Sequence, residues 1–187
     1  MTRPPSRGRG LGIGLLGLLL VAPIAGCDPD ADETAPQERR GPDATLRTHL
    51  VEPGEPTAEG LAYLRAMADA HAKADEREGE ARIGVLRRAL AQPVPAGLHE
   101  AEIVRLDVAA RLGEELMNGG PHGAQAAREL LAPMLGVERS LPLDRATARA
   151  LVVLGDAAVR SGDDALAAGS YARSIEMMTL LRQELEP

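Results

Sequence analysis

The sequence predicts an all-α fold, and three observations carry that reading. From Thr57 onward apolar residues recur every three or four positions. No stretch there alternates apolar and polar residues as a half-buried strand would. Glycines, prolines and short polar residues then cut the pattern into segments of helix length.

The segments follow in order. Thr57, just after Pro56, suits an N-cap, and Leu61, Leu64, Ala68 and His71/Ala72 recur on one face behind it. Gly79 interrupts. Ile83, Leu86, Ala89 and Leu90 make a second face that ends at Gln92-Pro93. A third helix runs from about Leu98 to Asn118, with Ile103, Leu106, Ala110 and Leu116 facing one way. Gly119-Gly120 stops it, because glycine tolerates the left-handed conformation of a helix end. Pro121 and Gly123 open a shorter helix through Leu131, which Pro133 limits. Asp144 is the N-cap expected for a fifth helix ending at Gly162. Asp163 or Asp164 caps a sixth, which runs to about Glu184. The expected architecture is six helices in three hairpins.

The last hairpin carries a repeat pattern. Leu151-x-x-Leu154-Gly155-x-x-Ala158, then Gly162, Ala167, Tyr171 and Ser174, resembles the tetratricopeptide repeat. Leu151 stands where that family often has Trp, and Ala158 replaces its usual Tyr. Thr179 stands where the family's usual proline would be, so the terminal signature is missing. The middle hairpin resembles the repeat through Leu112-Gly113-x-x-Leu116 and Gly120. The first matches loosely through Ala81, Val85 and Ala89. The two Leu-Gly pairs lie 42 residues apart rather than the family's 34, and the extra residues fall in 136–143. The resemblance implies helical hairpins stacked as a short array. The alternative is a generic α-helical bundle.

The N-terminal third is different. Arg3, Arg7 and Arg9 precede a run from Leu11 to Ala25 that is apolar apart from glycines and Pro23. That run is shorter than the ~20 apolar residues of a spanning helix and has the length and flanks of a secretory signal peptide. It ends in Ile24-Ala25-Gly26-Cys27, which resembles the lipobox of bacterial lipoproteins. The resemblance implies cleavage before Cys27 and acylation of that cysteine, the only one in the chain. More than one acyl chain gives stable attachment to a bilayer. Asp28 resembles an inner-membrane retention signal in some lineages, and the residues leave the choice of inner or outer membrane open. Residues 1–26 are thus expected as a signal peptide. Residues 27–56 follow as the lipidated cysteine and a disordered, acidic, proline-rich linker, and 57–187 as the helical domain. The linker carries five prolines and eight acids against three arginines. Its large apolar residues are Leu46, Leu50 and Val51. Any local order there is expected as a turn or two of helix near 43–51.

Composition excludes several functions. The 187 residues carry 28 acids against 21 bases, a net charge of -7, and two tyrosines as their only aromatics. Few stacking rings and an acidic balance argue against nucleic acid as a partner. One cysteine excludes an internal disulfide or a multi-cysteine zinc site. Gly12 to Gly17 matches G-x-G-x-x-G but lies inside the leader, without the strand such a site needs. His49, His71, His99 and His122 are scattered. His71 and Asp75, four apart, share a helix face but have no third ligand fixed by spacing. His99-Glu100 begins a false H-E-x-x-H, since position 103 is Ile. The run from Asp75 to Glu80 reads as a solvated corner.

The expectation is a non-catalytic interaction or scaffold module of the bacterial cell envelope. It is anchored to a membrane through lipid on Cys27, faces the periplasm and meets an envelope protein partner. It needs no cofactor, metal or catalytic residue. The alternative is an envelope lipoprotein that binds a small ligand or metal.

Overall fold

The computed structural model describes residues 46–55 and 57–185. They form an all-α fold with one minimal strand pair: β1 (Thr48–His49), α1 (Ala58–Asp75), α2 (Gly79–Leu90), α3 (Glu100–Met117), α4 (Pro121–Leu131), β2 (Leu141–Pro142), α5 (Arg145–Arg160) and α6 (Asp164–Leu185). Consecutive helices pack as hairpins. The first helices of successive hairpins also touch, α1 on α3 and α3 on α5. No described helix is long and apolar enough to cross a membrane. Cys27, the leader and the glycine fingerprint lie outside the described residues.

Local chemistry sets the helix ends. Thr57 Oγ1 accepts from the Gly60 amide at 3.0 Å, and Asp144 Oδ1 from the Ala146 amide at 2.7 Å. Each satisfies an orphan donor of the first turn, worth about 1 kcal/mol. Between α5 and α6 the chain makes a Schellman turn. Gly162 takes φ +78°, its amide donates to Val159 C=O at 3.1 Å, and the Asp163 amide donates to Ala158 C=O at 2.9 Å. Asp163 then caps α6 by accepting from the Leu166 amide at 3.1 Å.

The core is built from alanine, leucine, valine and methionine, so the helices must lie close. Gly155 shows how close. A methyl there would sit 2.6 Å from Cε1 of Tyr171. Gly123 is tighter still, since a side chain would run into the carbonyl of Leu116. Ala167 is buried and Ala168 exposed.

Two expectations are corrected. The buried stripe of α1 is Tyr63, Met67, Ala70 and Ala74, whereas Leu61, Ala68 and Ala72 are exposed. Both stripes are apolar, and the larger Tyr63 and Met67 are the side chains that turn inward. The second concerns 46–55, which the composition placed in a disordered linker. Leu46 is 8% exposed. β1 pairs in parallel with β2, and the amides of Leu141 and Leu143 donate to Arg47 C=O and His49 C=O, both at 2.8 Å. Further along, the Gly54 amide donates to Glu100 Oε1 at 3.3 Å. Residues 46–55 thus run from beside the start of α5 to the start of α3. The extra residues of the 42-residue spacing supply β2.

Two stability predictions follow from this packing. Gly155→Ala should destabilise by about 1–3 kcal/mol, the usual range for overpacking. Gly169→Ala, with no atom within 4 Å of its methyl, should stabilise by about 0.5–1 kcal/mol through helix propensity. Urea midpoints of the two variants should therefore move in opposite directions. For the strap, Leu46→Ala should lower stability by roughly 2 kcal/mol. Leu50→Ala, at a side chain 63% exposed, should leave the thermal midpoint in place.

Candidate interaction surface

The first helices of the three hairpins present a solvent-lapped band of charge. From α1 come His71 and Asp75, from α3 Asp107, Arg111 and Glu114, and from α5 Arg149. The helical spacing of three and four places each set on one side of its helix. Arg111 Nη1 donates to His71 Nδ1 and to His71 C=O, both at 3.2 Å, while its Nη2 meets Asp75 Oδ1 at 2.5 Å. His71 Nε2 lies 3.2 Å from Asp107 Oδ2. Arg149 closes the ladder, with Nη1 3.1 Å from Asp107 Oδ1 and Nη2 2.6 Å from Glu114 Oε2.

This arrangement fixes the imidazole. Arginine has only donors, so His71 Nδ1 accepts from Arg111 and Nε2–H donates to Asp107. Both ring nitrogens are engaged by side chains of α3. Hydrogen bonds and charge from Glu114 and Asp107 hold the Arg149 guanidinium above its usual range, with burial opposing them. His71 and Asp75, which the sequence places on one face, therefore meet through Arg111 rather than around a metal. No group of three or more His, Cys, Asp or Glu among the described residues is placed to hold one.

The other histidines lie apart. His49 Nδ1 is 3.1 Å from Ser140 Oγ beside the strand pair. His99 and His122 are exposed at the starts of α3 and α4. The Asp75–Glu80 run spans the end of α1, the turn and the start of α2; Asp75 is held by Arg111, and the other acids are exposed.

Sequence reasoning missed three sets of residues. The first is the cross-helix part of the ladder, Asp107, Arg111, Glu114 and Arg149. The polar spacing of the first three along α3 is visible in the sequence, but their partners on other helices are not. The second is Arg173 of α6, 4% exposed, whose Nη1 donates to Leu135 C=O at 2.5 Å and Nη2 to Gly136 C=O at 3.4 Å. It ties α6 to the connection after α4, and its burial lowers the guanidinium below its usual range. The third is Tyr171, read as the aromatic of the repeat. Its hydroxyl donates to Asp156 Oδ1 at 2.6 Å across the α5–α6 hairpin. That bond, more than burial, raises its ionisation above the ordinary value of 10.0. Tyr63 is raised as well, chiefly by burial.

No family model matches the chain, and no curated protein or solved structure matches it.

Two experiments test this surface. Arg111→Ala, which strips a mostly buried guanidinium from a backbone carbonyl and a carboxylate, should cost about 1–3 kcal/mol. Arg149→Ala, in more exposed pairs, should cost under about 1 kcal/mol and lose even that in high salt. Urea unfolding at two salt concentrations separates them. The tyrosine shift gives a pH dependence. Because the folded value lies above the unfolded one, the hairpin's contribution is whole below pH 10.0 and falls as pH rises beyond it. Tyr171→Phe should remove most of that alkaline loss, and ultraviolet titration should then show one tyrosinate, from Tyr63.

Proposed function

We propose that the chain is a bacterial lipoprotein, anchored through lipid on Cys27. In this reading its helical domain serves as a non-catalytic protein-interaction or scaffold module of the cell envelope. The observation that carries the anchor is the coincidence of Arg3, Arg7 and Arg9, the apolar run, and Ile24-Ala25-Gly26 directly before the only cysteine. Thioether formation at that position would also leave no stray thiol in an oxidising compartment.

The module reading rests on the order of helix contacts. Each hairpin packs on the next, and α1, α3 and α5 follow one another as the first helices of stacked repeats do. The close approach at Gly155 and the burial of Ala167 support a tetratricopeptide-like register for 148–181. Repeat arrays of this kind bind through an extended surface and have no intrinsic chemistry. The saturated hydrogen bonding of His71 is in keeping with that. The partner is an envelope protein that meets the domain while the lipid holds it at the membrane.

Metabolic labelling with a fatty-acid analogue tests the anchor. The wild-type chain should take up label and shorten to a form beginning at Cys27. Cys27→Ala should remain an unlabelled precursor. A wild-type protein released without lipid and cleaved elsewhere would overturn the reading.

A further inference from the structure

We infer that the cleft between α1 and α2 holds the phosphate of an anionic phospholipid, which sets the first hairpin against a membrane surface. The anion chemistry follows from the cleft alone. The choice of a lipid as its source rests on the anchored reading.

The cleft has a volume of about 430 Å³. Its floor is Ala66 and Ala70 from α1 with Val85 and Ala89 from α2, and its rim is Lys73, Arg77, Arg88 and Gln92. Three cations line it and no acid does, in a chain whose net charge is -7. All three are exposed, and none of them takes part in an ion pair among the described residues. By contrast Arg82, Arg111, Arg128, Arg139 and Arg149 each meet a carboxylate.

The hairpin gathers the three charges. Lys73 lies in the last turn of α1, and Arg77 in the turn beyond it. Arg88 is near the far end of α2, yet its guanidinium folds back toward that turn. Its Nη1 lies 3.5 Å from where a methyl at Gly84 would be. Like charges held together over an alanine floor repel one another until an anion arrives. Two planar guanidinium forks and an ammonium match the oxygens of a phosphate, and the Gln92 amide adds a neutral donor. The apolar floor suits the glycerol carbons beside a lipid phosphate, which a free ion lacks. Reach is no obstacle. Cys27 and Leu46 are separated by the 18 residues 28–45, whose contour extends to roughly 60 Å. That is longer than any helix of the domain. The first hairpin can therefore lie on the same bilayer that holds the anchor.

The test uses the full chain purified in a nonionic detergent doped with lipid. Lys73 is the one lysine of the chain. The rate at which a succinimidyl ester acylates it, read by mass spectrometry of its peptide, therefore reports on the cleft directly. Phosphatidylglycerol should slow that reaction by about fivefold or more. Phosphatidylcholine, whose phosphate carries a balancing cation, should leave it unchanged, and so should inorganic phosphate at the same concentration. Arg77→Gln with Arg88→Gln should lose the protection. Arg65→Gln with Arg87→Gln removes the same charge from exposed positions of α1 and α2 outside the cleft, and should keep it. Both pairs should melt as the wild type does. Protection by phosphatidylcholine or inorganic phosphate as strong as that by phosphatidylglycerol would overturn the inference. So would no protection at all, stronger protection by an acidic peptide, or equal loss in the two double variants. None of these outcomes bears on fatty-acid labelling at Cys27, so the two readings fail separately.

Discussion

Close approach between helices is the constraint on which this domain depends. The chain has no phenylalanine or tryptophan and two tyrosines, so no large ring is available to fill a wide gap between helix axes. Alanines such as Ala70, Ala74, Ala109, Ala110, Ala124, Ala127, Ala150 and Ala157 are buried instead. Each buries little apolar area by itself. Stability then comes from many short-range contacts at interior density, which small side chains achieve only if the backbones nearly touch. Gly113 and Gly123 serve this need in the middle hairpin as Gly155 does in the last. The same closeness brings α1, α3 and α5 within reach of one another's arginines and carboxylates, so the surface ladder is a consequence of how the core is filled.

Much of the fold is legible because the punctuation is chemical and local. Thr57, Asp144 and Asp163 act as the caps their positions suggest, and Gly120 and Gly162 take the positive φ expected after a helix. What is not legible is whatever depends on a distant partner. Residues 46–55 look like linker because a proline-rich acidic stretch has little to bury by itself. Leu46 joins a core made by residues far along the chain, and His49 meets Ser140 from 91 residues away. Likewise the spacing of His71 and Asp75 shows a shared face but cannot show that Arg111 stands between them. The rotation of the α1 stripe is a third case, since two apolar faces on one helix cannot be ranked by period alone.

Charge in this domain is organised by distance rather than by net balance. The exposed ladder joins three helices through pairs that salt weakens, while Arg173 is buried against carbonyl oxygens. The first adjusts how neighbouring hairpins sit. The second fixes where the long connection after α4 meets α6. Asp163 belongs to both kinds, capping α6 while its other oxygen lies 3.1 Å from Arg128 of α4.

The strap has a mechanical consequence. A pull on the chain at Leu46 does not arrive first at α1, the first helix. It enters at β1, whose hydrogen bonds to Leu141 and Leu143 hand the load to the start of α5. The first hairpin therefore lies behind those two bonds, the seat of Leu46 and the Gly54–Glu100 bond on the path of such a pull. The domain is thus gripped near its last hairpin, while α1 and α2 are left to respond to what they touch.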